Sequence, residues 1–264
     1  MSKVSSFLLS KWYLDCLDPN GNGTIVYAAE LRWKTLRMRY ASTLILAGGK
    51  VEIASSIRNC PLPERSDGKI VLRLPHLGVA GVWEGFAPPV EHVIFEDNSG
   101  SVLWNCLQPA ARVELSLRGR TSSGLGYAEL LQISVPPWRL PLDELHWGRF
   151  ISESDSLVWI DWRGSYSRRL LLHNAKETEV DSITEEEVRG AGGQLCLSLD
   201  RGLVLRSGKL GKTVFPSIRR LARAIPLSML QVHETKWRSH GALRLGGNSA
   251  SGWAIHEIVR WKKE

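Results

Sequence analysis

The chain has 264 residues, enough for one large or two small domains, and its 43% hydrophobic and 23% charged residues exclude extended disorder. Its formal net charge of +7 would suit nucleic acid, an acidic ligand or an anionic membrane surface, but the basic residues are scattered along the chain. We therefore expect no nucleic-acid partner. Transient contact with a membrane stays open as an alternative, and so does the oligomeric state.

The N-terminal segment lacks the apolar run of a signal peptide, because Phe7-Leu8-Leu9 is followed at once by Ser10-Lys11. No stretch of the sequence is long and apolar enough to span a bilayer. We therefore expect a cytoplasmic protein. The widely spaced cysteines form no Cys-x-x-Cys pair, which predicts reduced, buried thiols rather than disulfides or a zinc site at Cys16, Cys60, Cys106 and Cys196.

Alternating apolar and polar residues recur along most of the chain. The alternation is clear in residues 27–33, 36–40 and 111–118, and it has the two-residue period of half-buried β-strands. Turn-forming residues separate these runs at 18–23, 48–49, 97–100, 122–124 and 246–248. Many short strands joined by hairpin turns predict an all-β fold, built from antiparallel β-barrels or sandwiches with few short helices.

Three prolines between residues 135 and 141 interrupt the strand pattern. We expect them to mark the junction between two β-barrel or sandwich halves, residues 1–135 and 136–264. Two helical segments are also predicted. Residues 218–225 form a short basic amphipathic helix that ends at a proline, and residues 184–187 fit one helical turn in a surface loop.

Several common catalytic and metal-binding motifs are absent from the sequence. The loop that starts at Asp18 begins like a calcium site but has Ala29 where a bidentate Glu is required, which predicts a hairpin turn instead. His233-Glu234 lacks the second His of a zinc-protease helix. There is no phosphate-binding loop, dinucleotide fingerprint or serine-hydrolase elbow. We therefore expect neither a metal ion nor another cofactor.

What remains is a small set of acidic residues in apolar surroundings. Because side chains alternate along a strand, Glu129 shares one face of segment 127–133 with Tyr127 and two aliphatic residues. Glu257 shares one face of segment 253–261 with two tryptophans and two aliphatic residues. Burial can raise the pKa of such an acid until it donates a proton near neutral pH. Both glutamates are therefore candidate acids.

Each candidate also has a structural interpretation. A buried ion pair would stabilise the fold instead of carrying chemistry, and Arg149 is the obvious partner for either Glu129 or Glu257. Asp161 lies between two tryptophans, one position out of phase with the aliphatic residues before it, so we expect it to face solvent or the other half. His146 is either a core residue or a polar group that orients a substrate.

Five blocks of the sequence carry a resemblance to a known family. They are Trp12-Tyr13, residues 124–129 (Gly-Leu-Gly-Tyr-Ala-Glu), 145–150 (Leu-His-Trp-Gly-Arg-Phe), 158–162 (Val-Trp-Ile-Asp-Trp) and 252–257 (Gly-Trp-Ala-Ile-His-Glu). Together they resemble the lipocalin-like family that includes carotenoid 1,2-hydratases, tocopherol cyclases and AttH-like proteins. The resemblance implies two barrel-like halves with a substrate cavity in or between them, and hydration or cyclisation without a cofactor.

The tryptophan content fits this chemistry, since 11 Trp outnumber 5 Tyr and 5 Phe combined. Protonating an isoprenoid double bond creates a carbocation, which needs a water-poor pocket, a proton donor and aromatic faces. We therefore predict a cofactor-independent enzyme that hydrates, cyclises or isomerises a hydrophobic polyene or terpenoid-like small molecule, with Glu129 as the leading proton donor and Glu257 and Asp161 as further acids.

The residues expected to contact that substrate are Trp12, Tyr127, His146, Trp147, Arg149, Trp159 and Trp162. Among them, Trp12, Trp147 and Trp159 are expected to line one cavity together with Glu129. An alternative hypothesis needs the same hydrophobic ligand but no chemistry. A non-catalytic carrier would bind the small molecule in a lipocalin-like cavity and release it unchanged.

Overall fold

A computed structural model describes residues 7–200, 202–213 and 225–261. The chain forms two compact units, Met1–Leu140 and Pro141–Glu264. It passes from one unit to the other inside the proline-rich stretch, whereas the sequence analysis placed the junction at residues 135 and 136. Residues 218–224 of the predicted basic helix lie outside the described residues.

Within the described residues, the first unit contains one antiparallel sheet of ten strands. They are β1 (Phe7–Leu17), β2 (Gly23–Trp33), β3 (Leu36–Ala47), β4 (Lys50–Ser56), β5 (Glu64–Ser66), β6 (Lys69–Leu74), β7 (Val79–Gly85), β8 (Val90–Asp97), β9 (Gly100–Leu117) and β10 (Arg120–Ile133). The order in the sheet is β4-β3-β2-β1-β10-β9-β7-β6-β5, and β8 also pairs with β9. Single 3-10 turns occur at Pro75–Leu77 and Pro137–Arg139.

The described part of the second unit also contains one antiparallel sheet of ten strands. They are β11 (Glu144–Ile151), β12 (Ser156–Arg163), β13 (Arg168–His173), β14 (Lys176–Thr178), β15 (Val180–Ile183), β16 (Glu187–Gly190), β17 (Leu195–Leu199), β18 (Leu203–Lys209), β19 (His233–Leu245) and β20 (Asn248–Arg260). Among the described residues between β18 and β19, two short helices are present, α1 (Leu210–Thr213) and α2 (Leu227–Gln231). Among the described helices, none has the length and apolar character needed to cross a membrane.

The two sheets have the same strand order. The second sheet runs β14-β13-β12-β11-β20-β19-β17-β16-β15, with β18 paired to β19, which is the order of the first sheet with ten added to every strand number. Strands β1, β9 and β10 therefore occupy the same places as β11, β19 and β20. The predicted all-β fold of two antiparallel halves with few short helices is confirmed. The duplication of the two halves is visible in the strand order.

Each sheet has one face that carries a hydrophobic core, which we call the inner face, and we call the other side the opposite face. Trp12, Leu14 and Ala128 belong to the core of the first unit. Phe150 and Trp159 belong to the core of the second. Because successive side chains of a strand point to opposite sides, the residues between them lie on the opposite faces.

Strand β9 changes its partner part-way along its length. Residues 111–117 pair with β7, and residues 100–106 pair with β8. At the change, the register with β10 runs from Gly126 opposite Ala111 to Glu129 opposite Cys106, so β10 advances by three residues while β9 advances by five. The two extra residues of β9 enter one at a time, at two successive register shifts that together form a bulge beside Glu129.

Local expectations have mixed outcomes. The Asp18 carboxylate accepts hydrogen bonds from the backbone N–H groups of Asn20 and Asn22, which makes a hairpin turn as predicted. The four cysteines are reduced and buried, also as predicted. The helical turn expected at residues 184–187 is wrong. Thr184 and Glu187 instead bond to each other through backbone and hydroxyl groups and connect β15 to β16.

Candidate functional site

Glu129 is buried on the opposite face of β10, with 7% of its surface exposed. Two neutral groups donate hydrogen bonds to the same carboxyl oxygen, Oε2. They are the indole N–H of Trp104 on β9 and the hydroxyl of Tyr127, each at 2.6 Å. In the sheet register, Glu129 lies opposite Tyr13 of β1 and Cys106 of β9. The carboxyl group is therefore enclosed by aromatic rings and a thiol and is held by two neutral donors.

A second buried carboxyl group lies on the neighbouring strand. Asp15 of β1 is fully buried and accepts a hydrogen bond from the Tyr13 hydroxyl at 2.9 Å. Tyr13 lies opposite Glu129 in the register and Asp15 lies opposite Tyr127, and the two tyrosine rings make an edge-on contact with centroids 5.9 Å apart. We call Tyr13, Asp15, Tyr127 and Glu129 the tyrosine–carboxyl cluster.

The sequence analysis identified Tyr127 and Glu129 but missed their partners on β1. A signal was present, because residues 13–15 read Tyr-Leu-Asp and residues 127–129 read Tyr-Ala-Glu. In a strand, this spacing places the ring and the acid on the same face. The missing information was the register between β1 and β10, two strands that are far apart in the sequence.

The protonation of the cluster follows from its burial. Burial raises the pKa of Tyr127 well above its usual value, and the nearby Cys106 and Glu129 add to the rise. Burial likewise raises the pKa of Cys106 well above its usual value, although the hydrogen bond with Tyr127 acts in the other direction. Both groups keep their protons at neutral pH. Tyr127 therefore remains a donor to Glu129, and Cys106 is a poor nucleophile.

Glu257 lies on the opposite face of β20 in a different environment. Its carboxylate forms an ion pair with Lys236 of β19, whose side chain is completely buried. Trp147 lies opposite Glu257 in the register, and its ring centroid is 5.3 Å from the Lys236 ammonium group. Arg149, the partner expected from the sequence, donates a hydrogen bond to the Trp253 carbonyl at 2.7 Å. The contacts of Glu257 thus favour the structural interpretation of this residue.

Asp161 corrects a prediction about orientation. It is buried on the inner face of β12, in phase with Trp159, and its carboxylate accepts a hydrogen bond from Arg163 Nε at 2.7 Å. The expectation that it faces solvent is wrong. The prediction assumed that the face carrying Val158 and Ile160 is the buried one and that the alternate face is exposed. These two residues are indeed buried, but on the opposite face, and the inner face that carries Asp161 is buried as well.

Two histidines lie on the same inner face of the second unit. His146 is buried, and its Nε2 lies 2.6 Å from Glu144 Oε1. His256 of β20 stacks on the ring of Trp237, with centroids 5.2 Å apart, and its Nε2 lies 3.0 Å from the Ser239 hydroxyl. Burial disfavours the charged imidazolium and lowers the pKa of His256 to about 4. His256 is therefore neutral at physiological pH.

The residues predicted to bind substrate do not share one face. Trp12 and Glu129 lie on different sides of the first sheet, and Trp159 and Trp147 lie on different sides of the second. The expected wall of Trp12, Trp147 and Trp159 beside Glu129 therefore does not form, because these indoles differ in strand phase. The inner faces carry Trp12, His146 and Trp159, and the opposite faces carry Tyr127, Trp147, Arg149 and Trp162.

Among the described residues, no three or more His, Cys, Asp or Glu side chains are grouped so that they could hold a metal ion. The chemistry available in the tyrosine–carboxyl cluster is proton transfer and hydrogen bonding, since it consists of carboxyl and phenol groups surrounded by aromatic rings.

No protein-family model matches the sequence, and no curated protein matches it. Solved structures match in fold. A putative AttH protein from Nitrosomonas europaea is 11% identical, with a TM-score of 0.56, and the match covers 95% of this chain and 92% of that chain. CghA with Sch210972 is 10% identical, with a TM-score of 0.56 and coverage of 97% and 89%. Kievitone hydratase from Nectria haematococca is 13% identical, with a TM-score of 0.55 and coverage of 97% and 90%. These likenesses show a shared lipocalin-like fold.

Proposed function

We propose that the protein is a cofactor-independent enzyme that protonates a carbon–carbon double bond of a hydrophobic small molecule, with the tyrosine–carboxyl cluster as its active site. The observation that carries the proposal is the pairing of two buried carboxyl groups, Asp15 and Glu129, each with a tyrosine donor, in adjacent strands. Buried acids flanked by neutral donors are rare in cores unless they serve a purpose, and they are candidates for acid–base catalysis.

Glu129 is assigned as the acid. Tyr127 and Trp104 both donate to Oε2, which fixes that oxygen as the hydrogen-bond acceptor of the carboxyl group. The transferable proton is then carried by Oε1 in the protonated form. Both of these donors are neutral groups. Glu129 therefore transfers its proton to the terminal carbon of the double bond and becomes a carboxylate.

Asp15 is assigned as the base. Asp15 and Glu129 are diagonal neighbours across an antiparallel pair, and such neighbours lie about 7–8 Å apart. The proposal places a water molecule or a substrate hydroxyl between the two carboxyl groups. The oxygen of that group bonds to the carbocation, and its proton passes to the Asp15 carboxylate. Return of the proton from Asp15 to Glu129 completes the cycle without a net change in the enzyme.

Aromatic rings around the two acids suit the cationic intermediate. The faces of Tyr13, Tyr127 and Trp104 can hold positive charge by cation–π attraction, which is stronger when water is excluded. Capture by water gives a tertiary alcohol, capture by an internal hydroxyl or alkene gives a ring, and loss of a proton gives an isomer. All three outcomes share the first step. The name of the structural neighbour kievitone hydratase and the resemblance to carotenoid hydratases make hydration the first outcome to test.

The proposed substrate class is the one that the sequence predicted. We propose an isoprenoid or polyene-like molecule, because the cluster consists of buried acids and phenols beside aromatic rings and contains no cationic side chain that would bind an anionic substrate. A cytoplasmic location, suggested by the sequence, belongs to the same proposal.

The experiment combines ligand identification with substitution of the two acids. Mass spectrometry of small molecules that co-purify with the protein identifies the substrate class, and turnover is then followed in ¹⁸O-labelled water with an acyclic carotenoid and a prenylated quinol. Glu129→Gln keeps an acceptor for Tyr127 and Trp104 but has no acidic proton, so turnover should fall about 10²–10⁴-fold. Asp15→Asn should also lower turnover, because it removes the proposed base.

Two matched variants make the result decisive. Glu114→Gln changes an exposed glutamate on β9 and should leave turnover unchanged. Glu257→Gln tests the competing acid. Full turnover by folded Glu129→Gln would remove the proposed acid, and loss of turnover in Glu257→Gln alone would move that role to Glu257. If the bound molecule is recovered unchanged by wild type and variants alike, the carrier hypothesis is correct instead.

A further inference from the structure

The hairpin formed by β2 and β3 has a charged side and an apolar side near its turn. In the register, Glu30 lies opposite Arg39 and Arg32 lies opposite Arg37, and all four share the phase of the inner face. The alternate side carries Leu31, Trp33, Leu36, Met38 and Tyr40. We call residues 30–40 the amphipathic hairpin.

Two arginines of the amphipathic hairpin face each other across the strands. Arg32 and Arg37 are directly opposite in the register, and like charges in such positions destabilise a sheet. The Glu30 carboxylate accepts hydrogen bonds from Arg32 Nη2 at 2.6 Å and Arg39 Nε at 3.1 Å, and Arg37 Nε lies 3.6 Å from it. With Lys34 in the turn, four cations share one carboxylate, and the hairpin has a net charge of +3. An anionic partner from outside the chain would relieve the remaining repulsion.

The charged groups and one apolar side chain of the hairpin are accessible. The side chains of Arg32, Arg37 and Arg39 are 52%, 64% and 49% exposed. Leu36, next to the turn, is 38% exposed. In the described part of the chain, residues 36–40 pair with β2 alone, because the pairing between β3 and β4 starts after them. A partner can therefore reach the guanidinium groups and Leu36 together.

Exposed residues that follow β4 extend this surface. Ser56, the last residue of β4, lies opposite Ala41, the first residue of β3 beyond the hairpin. The next two residues, Ile57 and Arg58, are exposed. They add a second apolar side chain and a fifth cation next to the amphipathic hairpin.

The equivalent hairpin of the second unit has a different character. Strands β12 and β13 occupy the places of β2 and β3, and in their register Asp161 lies opposite Arg169, so that opposite charges face each other. Residues 161–169 are all described, and no large hydrophobic side chain among them is exposed. Of the two hairpins, only that of the first unit has like charges opposite each other and an exposed apolar residue beside its turn.

An anionic membrane surface matches both properties of the amphipathic hairpin. Negative headgroups attract Lys and Arg, and each basic residue near the surface strengthens binding about fivefold. The boundary between headgroups and acyl chains accommodates apolar side chains such as leucine. A nucleic acid would pair with the cations but offers no aliphatic layer to Leu36 and Ile57. The combination of charge and exposed aliphatic side chains therefore favours a lipid surface.

We infer that the amphipathic hairpin docks the protein onto anionic phospholipid membranes, with its basic residues against the headgroups and Leu36 in the layer beneath them. The contact is reversible, because a few exposed side chains bind a bilayer far more weakly than a spanning helix does. The hairpin shares no residue with the tyrosine–carboxyl cluster, so the inference holds whether or not the proposed function is correct.

Co-sedimentation with lipid vesicles measures the docking. One set of vesicles contains equal amounts of phosphatidylserine and phosphatidylcholine, and the other contains phosphatidylcholine alone. The wild type should bind the mixed vesicles at least about tenfold more tightly than the neutral ones, and added salt should weaken the binding.

Lys34→Gly and Arg37→Gln are the test substitutions, because neither should harm the fold. Lys34 has a φ of 54°, which favours glycine, and Arg37→Gln removes the repulsion with Arg32. The double variant should bind mixed vesicles about 25-fold more weakly than the wild type, about fivefold for each charge. Arg169→Gln is the matched control, since it removes an exposed arginine from the equivalent hairpin. It should leave the binding nearly unchanged.

A second measurement tests the contact with the apolar layer. An environment-sensitive dye is attached to Thr35→Cys in the exposed turn, and to Ser165→Cys in the equivalent turn of the second unit. The four native cysteines are buried and should not react. Only the dye at position 35 should shift its emission to the blue with mixed vesicles. Leu36→Thr, which keeps a residue suited to a strand, should weaken binding about tenfold.

Four outcomes would overturn the inference. One is equal binding of the wild type to mixed and neutral vesicles, or binding to neither. Another is a loss in Arg169→Gln as large as that in Arg37→Gln. The third is undiminished binding by folded Leu36→Thr. The fourth is an unshifted dye at position 35 together with tighter binding of a single-stranded oligonucleotide than of mixed vesicles, which would make the hairpin a nucleic-acid surface instead.

Discussion

Glu129 and Glu257 occupy the same face of equivalent strands in two sheets of identical order, yet their surroundings differ. On one side each glutamate lies opposite an aromatic residue, which is on β1 for Glu129 and on β11 for Glu257. On the other side the opposite residue is Cys106 for Glu129 and Lys236 for Glu257. A duplicated topology thus places a glutamate twice at one position, with the Lys236 ammonium group beside Glu257 and the Cys106 thiol beside Glu129. Lys236 forms an ion pair with Glu257, whereas Glu129 accepts hydrogen bonds from the neutral groups of Trp104 and Tyr127.

The largest expected effect tests the ion pair of Glu257. Lys236→Met removes the buried cation from its ion pair with Glu257, so the free energy of unfolding should fall by about 3–5 kcal/mol in urea denaturation. Lys69→Met is the control, because Lys69 pairs with Glu84 on the exposed surface, where such pairs contribute little.

A double variant separates charge from packing at this position. Lys236→Met combined with Glu257→Leu removes both charges and should recover most of the lost stability, since an apolar pair can replace a buried ion pair at little cost. A Lys236→Met protein as stable as the Lys69→Met protein would show that Glu257 does not depend on its lysine, and the contrast between the two glutamates would disappear.

The second prediction concerns the loss of folding stability at low pH that His256 of the second unit causes. The pKa of His256 is lowered to about 4, first by burial and then by the positive charges of Lys236 and His146. The unfolded chain binds a proton near pH 6.5 and the folded one does not, so stability is complete above pH 6.5 and is lost as the pH falls towards 4. The expected loss through this group is about 3 kcal/mol at pH 4.

His256→Asn isolates that contribution, because other groups that titrate in acid, including Glu144, remain in both proteins. The difference in unfolding free energy between pH 7 and pH 4 should be smaller in the variant than in the wild type by about 3 kcal/mol. Identical pH dependence in the two proteins would mean that His256 is protonated in the fold.

The smallest expected effect concerns the neutral donors of Glu129. Tyr127→Phe removes one of the two hydrogen bonds to Oε2 and leaves the indole of Trp104 in place. The unfolding free energy should fall by about 1–2 kcal/mol, less than in Lys236→Met. Tyr40→Phe, a partly exposed tyrosine on β3, is the control. A loss as large as that of Lys236→Met would mean that Glu129 is a buried charge that needs its donors, contrary to its role as a neutral acid.

Strand alternation made much of the fold predictable from the sequence. It gave the strands at residues 27–33, 36–40 and 111–118, the hairpin turns and the faces of Glu129 and Glu257. It failed for Asp161, because both faces of β12 are buried and apolar residues on both sides hide the phase. It also gave no information on strand pairing, which depends on contacts between distant segments. Asp15 and the common order of the two sheets were therefore missed.

The bulge in β9 has a consequence for how this chain tolerates change. Two supernumerary residues between Cys106 and Ala111 restore the phase of the strand, so even-numbered positions point the same way before and after it. Loss of a single residue there would turn Trp104 away from Glu129, whereas loss of two would preserve its orientation. The strand should thus tolerate the insertion or deletion of two residues at this point. Insertion or deletion of a single residue should abolish proton donation by Glu129 while the rest of the sheet still assembles.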